Sequence, residues 1–146
     1  MRIEDRGSRI DGRGKDICMA AIMSFRDLDV YKLGLQEAKK IFILTKSFPS
    51  EEKYSLTDQI RRSSRAVNAL LAEAWARRRY VAAFVNKVNE ALGEAMETQA
   101  WLDHALACEY IEIGRHHELD DAWQHIGAML NRMIERADDF CKQAMK

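Results

Sequence analysis

A single proline, Pro49, stands in 146 residues. Proline fixes φ, removes a backbone donor and ends or kinks a helix, so a chain almost without it is free to run long, uninterrupted helices. The apolar residues use that freedom. Leu28, Tyr31, Leu35, Ala38 and Phe42 recur in steps of three and four, which puts side chains on one helical face. They predict a first helix that ends near Ser47, ahead of Pro49, and a connection over 48–54. Ser55 and Asp58 have the S-x-x-D spacing of a capping box, where each side chain satisfies a free N–H at a helix start. A second helix begins there, with the stripe Leu56, Ile60, Ser63, Val67, Leu70 and Ala74, and ends around Trp75 to Arg79. The third runs through Phe84, Val88, Ala91, Ala95, Thr98, Leu102 and Ala105; at about thirty residues it would be about 45 Å long. Gly114 is read as its stop, and Leu119, Trp123, Ile126, Leu130, Met133, Ala137 and Phe140 form the last stripe. Short connections between long amphipathic helices predict an all-α, antiparallel up-down-up-down four-helix bundle over 25–146. Small residues such as Ala66, Ala69, Ala82 and Ala91 allow close helix approach or line a subunit interface.

Residues 1–24 contrast with this. Gly7, Gly12 and Gly14 lie among scattered charges with neither helical nor strand periodicity, so a disordered tail is expected. Met19 or Met23 could serve as the translation start. The apolar run over 17–23 is too short for a membrane span, and nothing resembles a signal peptide. Three cysteines, Cys18, Cys108 and Cys141, are far apart and without a C-x-x-C pair. Reduced thiols in the cytoplasm are the expectation.

Charge excludes a globally basic nucleic-acid binder, because Lys+Arg and Asp+Glu are both 23. Any such binding must be local. Local segregation is strong: Arg61, Arg62, Arg65, Arg77, Arg78 and Arg79 stand against Glu73 alone, and over 94–121 eight acids stand against Arg115 alone. In an up-down bundle these blocks give a basic and an acidic pole. The six arginines are the candidate nucleic-acid-binding residues, since guanidinium groups engage phosphates bidentately. Trp75, Tyr80 and Phe84 interleave with them as stacking platforms or as core.

Catalytic apparatus is not visible. No Gly-rich phosphate loop, G-x-S-x-G elbow or H-E-x-x-H occurs. Bundles of this shape can hold a di-iron site through Glu-x-x-His pairs, and no glutamate here has a histidine three positions on. Glu112 and His116 are four apart but flank Gly114 at an expected helix end, which places His116 and His117 in a solvated loop. Ser63 and Ser64 read as small packing residues, and Glu109 beside Cys108 works against a thiolate. No enzyme activity, metal or cofactor is expected.

Four segments, FRDLDVY over 25–31, SLTDQIRR over 55–62, LAEAW over 71–75 and ETQAWLDHALACEY over 97–110, together resemble the four-helix-bundle family encoded by intervening sequences of bacterial 23S ribosomal RNA genes. The resemblance implies a ring-like homopentamer; that the ring is a scaffold or adaptor presenting repeated poles to an unknown protein partner is the expectation drawn from the chain itself. A related branch, the accessory protein of diversity-generating retroelements, is a basic pentamer that binds nucleic acid and a reverse transcriptase. This chain lacks that basicity. Where the family often has proline or cysteine and then asparagine ahead of I-A-E, it has Asn68 and Leu70, which implies a straighter second helix.

Overall fold

The computed structural model describes residues 9–10, 16–17 and 22–144. Strands β1 (Arg9–Ile10) and β2 (Asp16–Ile17) pair antiparallel, Arg9 opposite Ile17 and Ile10 opposite Asp16. The rest of the segment expected to be a disordered tail, up to residue 21, lies outside the described residues. Helical structure starts earlier than the apolar stripe suggests. Ser24 caps a 3₁₀ turn, Phe25–Asp27, in a complete capping box: Ser24 Oγ accepts from Arg26 N, and Asp27 Oδ2 accepts from Ser24 N at 3.0 Å. Ile22 is already buried.

Five helices follow: α1 (Asp29–Thr45), α2 (Leu56–Ala76), α3 (Val81–Ala107), α4 (Ile113–Glu135) and α5 (Ala137–Ala144). α1 packs on α2, α2 on α3, α3 on α4 and α4 back on α1. With connections of 4 to 10 residues this is the antiparallel up-down-up-down four-helix bundle. Leu28, Ile41, Ile60, Leu71, Phe84, Leu102, Leu119, Trp123 and Ile126 meet in one core and are almost wholly excluded from solvent.

The helices that read most cleanly as stripes behave as stripes. Every stripe residue of α3 is buried, and Ser63 on α2 joins them through a 2.8 Å hydrogen bond to Thr98 Oγ1 on α3. α1 is turned from its expected register. Leu35 is exposed and Phe42 half-buried, while the inward face is Val30, Gly34, Glu37, Ala38, Ile41 and Thr45. Three of those six are Gly, Glu and Thr, so the face has no continuous apolar signature. Gly34 lets Asn68 of α2 lie against the backbone, and Asn68 Nδ2 donates to Tyr31 O at 3.1 Å.

Three boundaries differ from expectation. Ser55 occupies the cap position of α2, yet its side chain makes no capping hydrogen bond; Asp58 faces Arg62 at 3.8 Å instead. Gly114 does not stop α3. The chain turns at Cys108 and at Glu109, which takes φ 61°, a left-handed backbone that reverses direction as a glycine would; Tyr110 N then bonds Ala105 O at 2.9 Å. Gly114 lies in the first turn of α4, where a Cβ would meet nothing. The last helix is broken at Arg136 (φ −104°, ψ 21°), and α5 packs against α3, stacking Phe140 on Phe84 with ring centroids 5.8 Å apart.

Candidate functional site

The six candidate arginines fall into three environments. Arg61 and Arg65 lie on the side of α2 that faces α1. Their guanidinium carbons sit 4.8 and 5.4 Å from the centre of the Phe42 ring, Lys46 Nζ is 4.8 Å from the same ring, and Arg61 Nε donates to Thr45 Oγ1 at 2.7 Å. The charge spacing of α2 makes this arrangement: Arg61 and Arg65 are one turn apart and share a face. Among the described residues no carboxylate pairs with either. Two hollows border the cluster. One, about 320 Å³, is lined by Leu35, Ala38, Lys39, Phe42 and Arg65. The other, about 330 Å³, opens between Lys46, Pro49, Lys53, Thr57 and Arg61.

Arg62 points the other way, toward α3. It lines a hollow of about 500 Å³ with Arg65, Ser63, Glu94 and Glu97. Burial raises the carboxyl pKa of Glu94, and its proximity to Glu97 raises it further.

Arg77, Arg78 and Arg79 form the turn between α2 and α3. Twelve residues separate Arg65 from Arg77, about 18 Å of helix. Arg78 is engaged internally: its guanidinium carbon lies 3.6 Å from the centre of the Trp75 ring, and Nε donates to Trp75 O at 2.9 Å, closing the end of α2. Burial lowers its pKa, opposed by the nearby Cys141 thiol. Burial pushes that thiol up, with Asp138 adding to the effect and Arg78 opposing it. Arg77 and Arg79 are exposed, as is Tyr80. Trp75 and Phe84 belong to the core. The structure therefore brings together Arg61 and Arg65, and with them Phe42, which spacing placed in the first apolar stripe, and Lys39 and Lys46, which spacing did not single out. Only knowledge of which residues of α1 face α2 would have found them.

At the opposite end, α3 and α4 present acids. Tyr110 Oη donates to Glu52 Oε2 at 2.8 Å and packs on Phe48 at 5.4 Å. That hydrogen bond above all, with some burial and the charge of Glu52, pushes the Tyr110 phenol up to about 12. His116 is a buried residue of α4 and not a solvated loop residue. Its Nε2 lies 2.8 Å from Asp103 Oδ1 on α3, and Asp120, one turn further along α4, accepts from Gln99 Nε2 at 3.1 Å. Asp103, His116 and Asp120 offer three donor atoms within 4.8 Å of one another. His117 remains exposed. Among the described residues no helix is long and apolar enough to cross a membrane.

Fold and surface together define a helical bundle with oppositely charged sides. Residues 26–132 match the family described as 23S rRNA-intervening sequence protein, and the chain belongs to that family. A crystal structure of a protein of unknown function from the S23 ribosomal protein family of Bacteroides thetaiotaomicron VPI-5482 is similar to it, with 32% identity, a TM-score of 0.66, and coverage of 73% of this chain and 95% of that one. No curated protein matches the chain.

Proposed function

We propose that the chain is a non-enzymatic, self-assembling scaffold or adaptor, whose repeating unit is the bundle and whose ring is the homopentamer that the family resemblance implies. One observation carries this reading: the two sides of the bundle differ in charge. α1 and α2 carry six cations against four acids, and two of those acids, Asp29 and Glu37, are buried. α3 and α4 carry three cations against eight acids. A subunit whose basic side fits the acidic side of the next copy associates head to tail, and such heterologous contacts close into rings when the rotation allows. Exposed Leu35 and half-buried Phe42 supply an apolar centre on the basic side. Cys108 and Cys141 are unpaired, which fits a reducing cytoplasm. The partner would be another protein displayed around the ring.

A second reading is favoured by the cations around Phe42. A nucleic-acid-binding accessory protein would use Arg61, Arg62 and Arg65, with Arg77, Arg78 and Arg79 at the far pole. Lys46, Arg61 and Arg65 would meet phosphates, and Phe42 would support them. Light scattering after size exclusion, at low and high salt, with and without a mixed RNA oligonucleotide, separates the two. A pentamer whose mass is unchanged by RNA supports the scaffold; a strict monomer at micromolar concentration sinks it. A salt-sensitive mass increase with RNA, lost in R61A/R65A, supports the second reading.

A further inference from the structure

The junction of α3 and α4 carries a feature that neither reading uses. Asp103 extends from the last turns of α3, and His116 and Asp120 share one face of α4 across one helical turn. His116 is nine-tenths buried, and its Nδ1 has no partner among the described residues. The polar engagement of the ring is through Nε2, which faces Asp103 at 2.8 Å. Among the described residues neither Asp103 nor Asp120 pairs with a lysine or arginine; the neighbouring Arg115 is held by Glu118 at 3.0 Å. Two carboxylates thus converge on one imidazole with no fixed cation, inside an acidic end of the molecule that includes Glu109, Glu112 and Asp121. Such a field concentrates cations.

We propose that Asp103, His116 and Asp120 form a binding site for a divalent first-row transition ion, bridging α3 and α4 through one imidazole nitrogen and two carboxylates. The spacing suits it. Metal–N and metal–O bonds of about 2.0–2.2 Å place adjacent donors about 3.0–3.5 Å apart, so the His116–Asp103 pair, now 2.8 Å apart, opens by a few tenths of an ångström to admit the ion. The ion replaces the proton shared by those two atoms. Asp120 completes the set from within 4.8 Å of the other two donors, and Gln99 holds its carboxylate as outer partners of metal ligands do. A mixed N and O donor set favours Zn(II), Co(II) or Mn(II) over Ca(II) or Mg(II), which take oxygen alone. With three protein donors the site keeps a position open to solvent on the side of exposed Asp103. Sequence spacing misses it because a search for pairs within one helix does not join ligands from two.

Co(II) is the probe, added to the full chain after chelation and back-titrated with Zn(II). The expected result is saturable binding at one ion per chain with visible d–d absorption, displaced by Zn(II), and a higher melting temperature in its presence. D103N and D120N change side chains at the surface and preserve the fold, which melting without metal verifies; each should weaken binding by at least the roughly 10–100-fold that loss of an outer partner costs. C108S should leave it unchanged. No saturable binding at micromolar Co(II), full affinity in the D103N/D120N double variant, or loss of binding in C108S would each overturn the assignment.

Discussion

At Gly34 a single methyl group decides how closely two helices meet. A Cβ there would overlap Asn68 Oδ1, and Asn68 is itself tied to Tyr31 O at 3.1 Å. Gly34→Ala must therefore displace the amide and break that bond. The expected loss is about 1–3 kcal/mol of overpacking, set against up to about 1 kcal/mol of helix propensity gained. In an Asn68→Ala background the overlap is gone and only the propensity gain remains, so the same substitution should become neutral or stabilising. Urea unfolding of the four-member cycle reads this sign change directly. Tyr110 offers a second test. Its phenol is pushed up to about 12 by the hydrogen bond to Glu52, above the ordinary value of about 10. A raised pKa stabilises the fold below the unfolded value, so this contribution is intact below about pH 10 and is lost as pH rises toward 12. Absorbance titration should show the Tyr110 phenolate forming well above the ordinary value of about 10, and Glu52→Gln should bring it back toward that value.

α5 closes the bundle at the end where α2 turns into α3. Phe140 is 1% exposed and stacks on Phe84, while Cys141 beside it is also buried. Phe140→Ala should cost about 3–5 kcal/mol, detach α5 and leave α1 to α4 assembled, visible as lost protection from hydrogen exchange confined to 137–144 and the first turns of α3. That break also marks where sequence reading succeeds and fails. α3 was legible because Phe84, Val88, Ala91, Ala95, Thr98, Leu102 and Ala105 alternate steps of four and three without interruption, and all are buried. The last helix keeps its apolar period through Arg136, so nothing local announces that φ and ψ leave the helical region there. α1 was turned because Gly34, Glu37 and Thr45 occupy inward positions, where backbone approach and pairing with Lys40 at 2.8 Å take the place of apolar contact. Gly114 looked like a stop because glycine commonly ends helices, whereas Glu109 supplies the left-handed residue. Of the candidate arginines, the charge excess was legible and the grouping was not: Arg78 folds onto Trp75, and Arg61 and Arg65 gather around Phe42, which is remote in sequence.

The molecule as a whole has no formal net charge, and cations are in excess on α1 and α2 while acids are in excess on α3 and α4. If subunits associate through those sides, charge reversal should act in pairs: R61E/R65E weakens assembly by about tenfold or more at low salt, and the loss should shrink as salt rises because salt screens exposed charges beyond about 10 Å at 0.1 M. Analytical ultracentrifugation at two ionic strengths measures both. A wild-type mass independent of salt together with an unaffected R61E/R65E would remove the role given to that surface. Separated charge of zero sum has a further consequence for the molecule in a crowded solution. Such a body is a large permanent dipole, which orients in an applied field and attracts its neighbours end to side even where monopole repulsion is absent. Dissolved salt surrounds each lobe with counter-ions and weakens that attraction, so the protein should be least soluble in pure water near neutrality and should dissolve as the first salt is added.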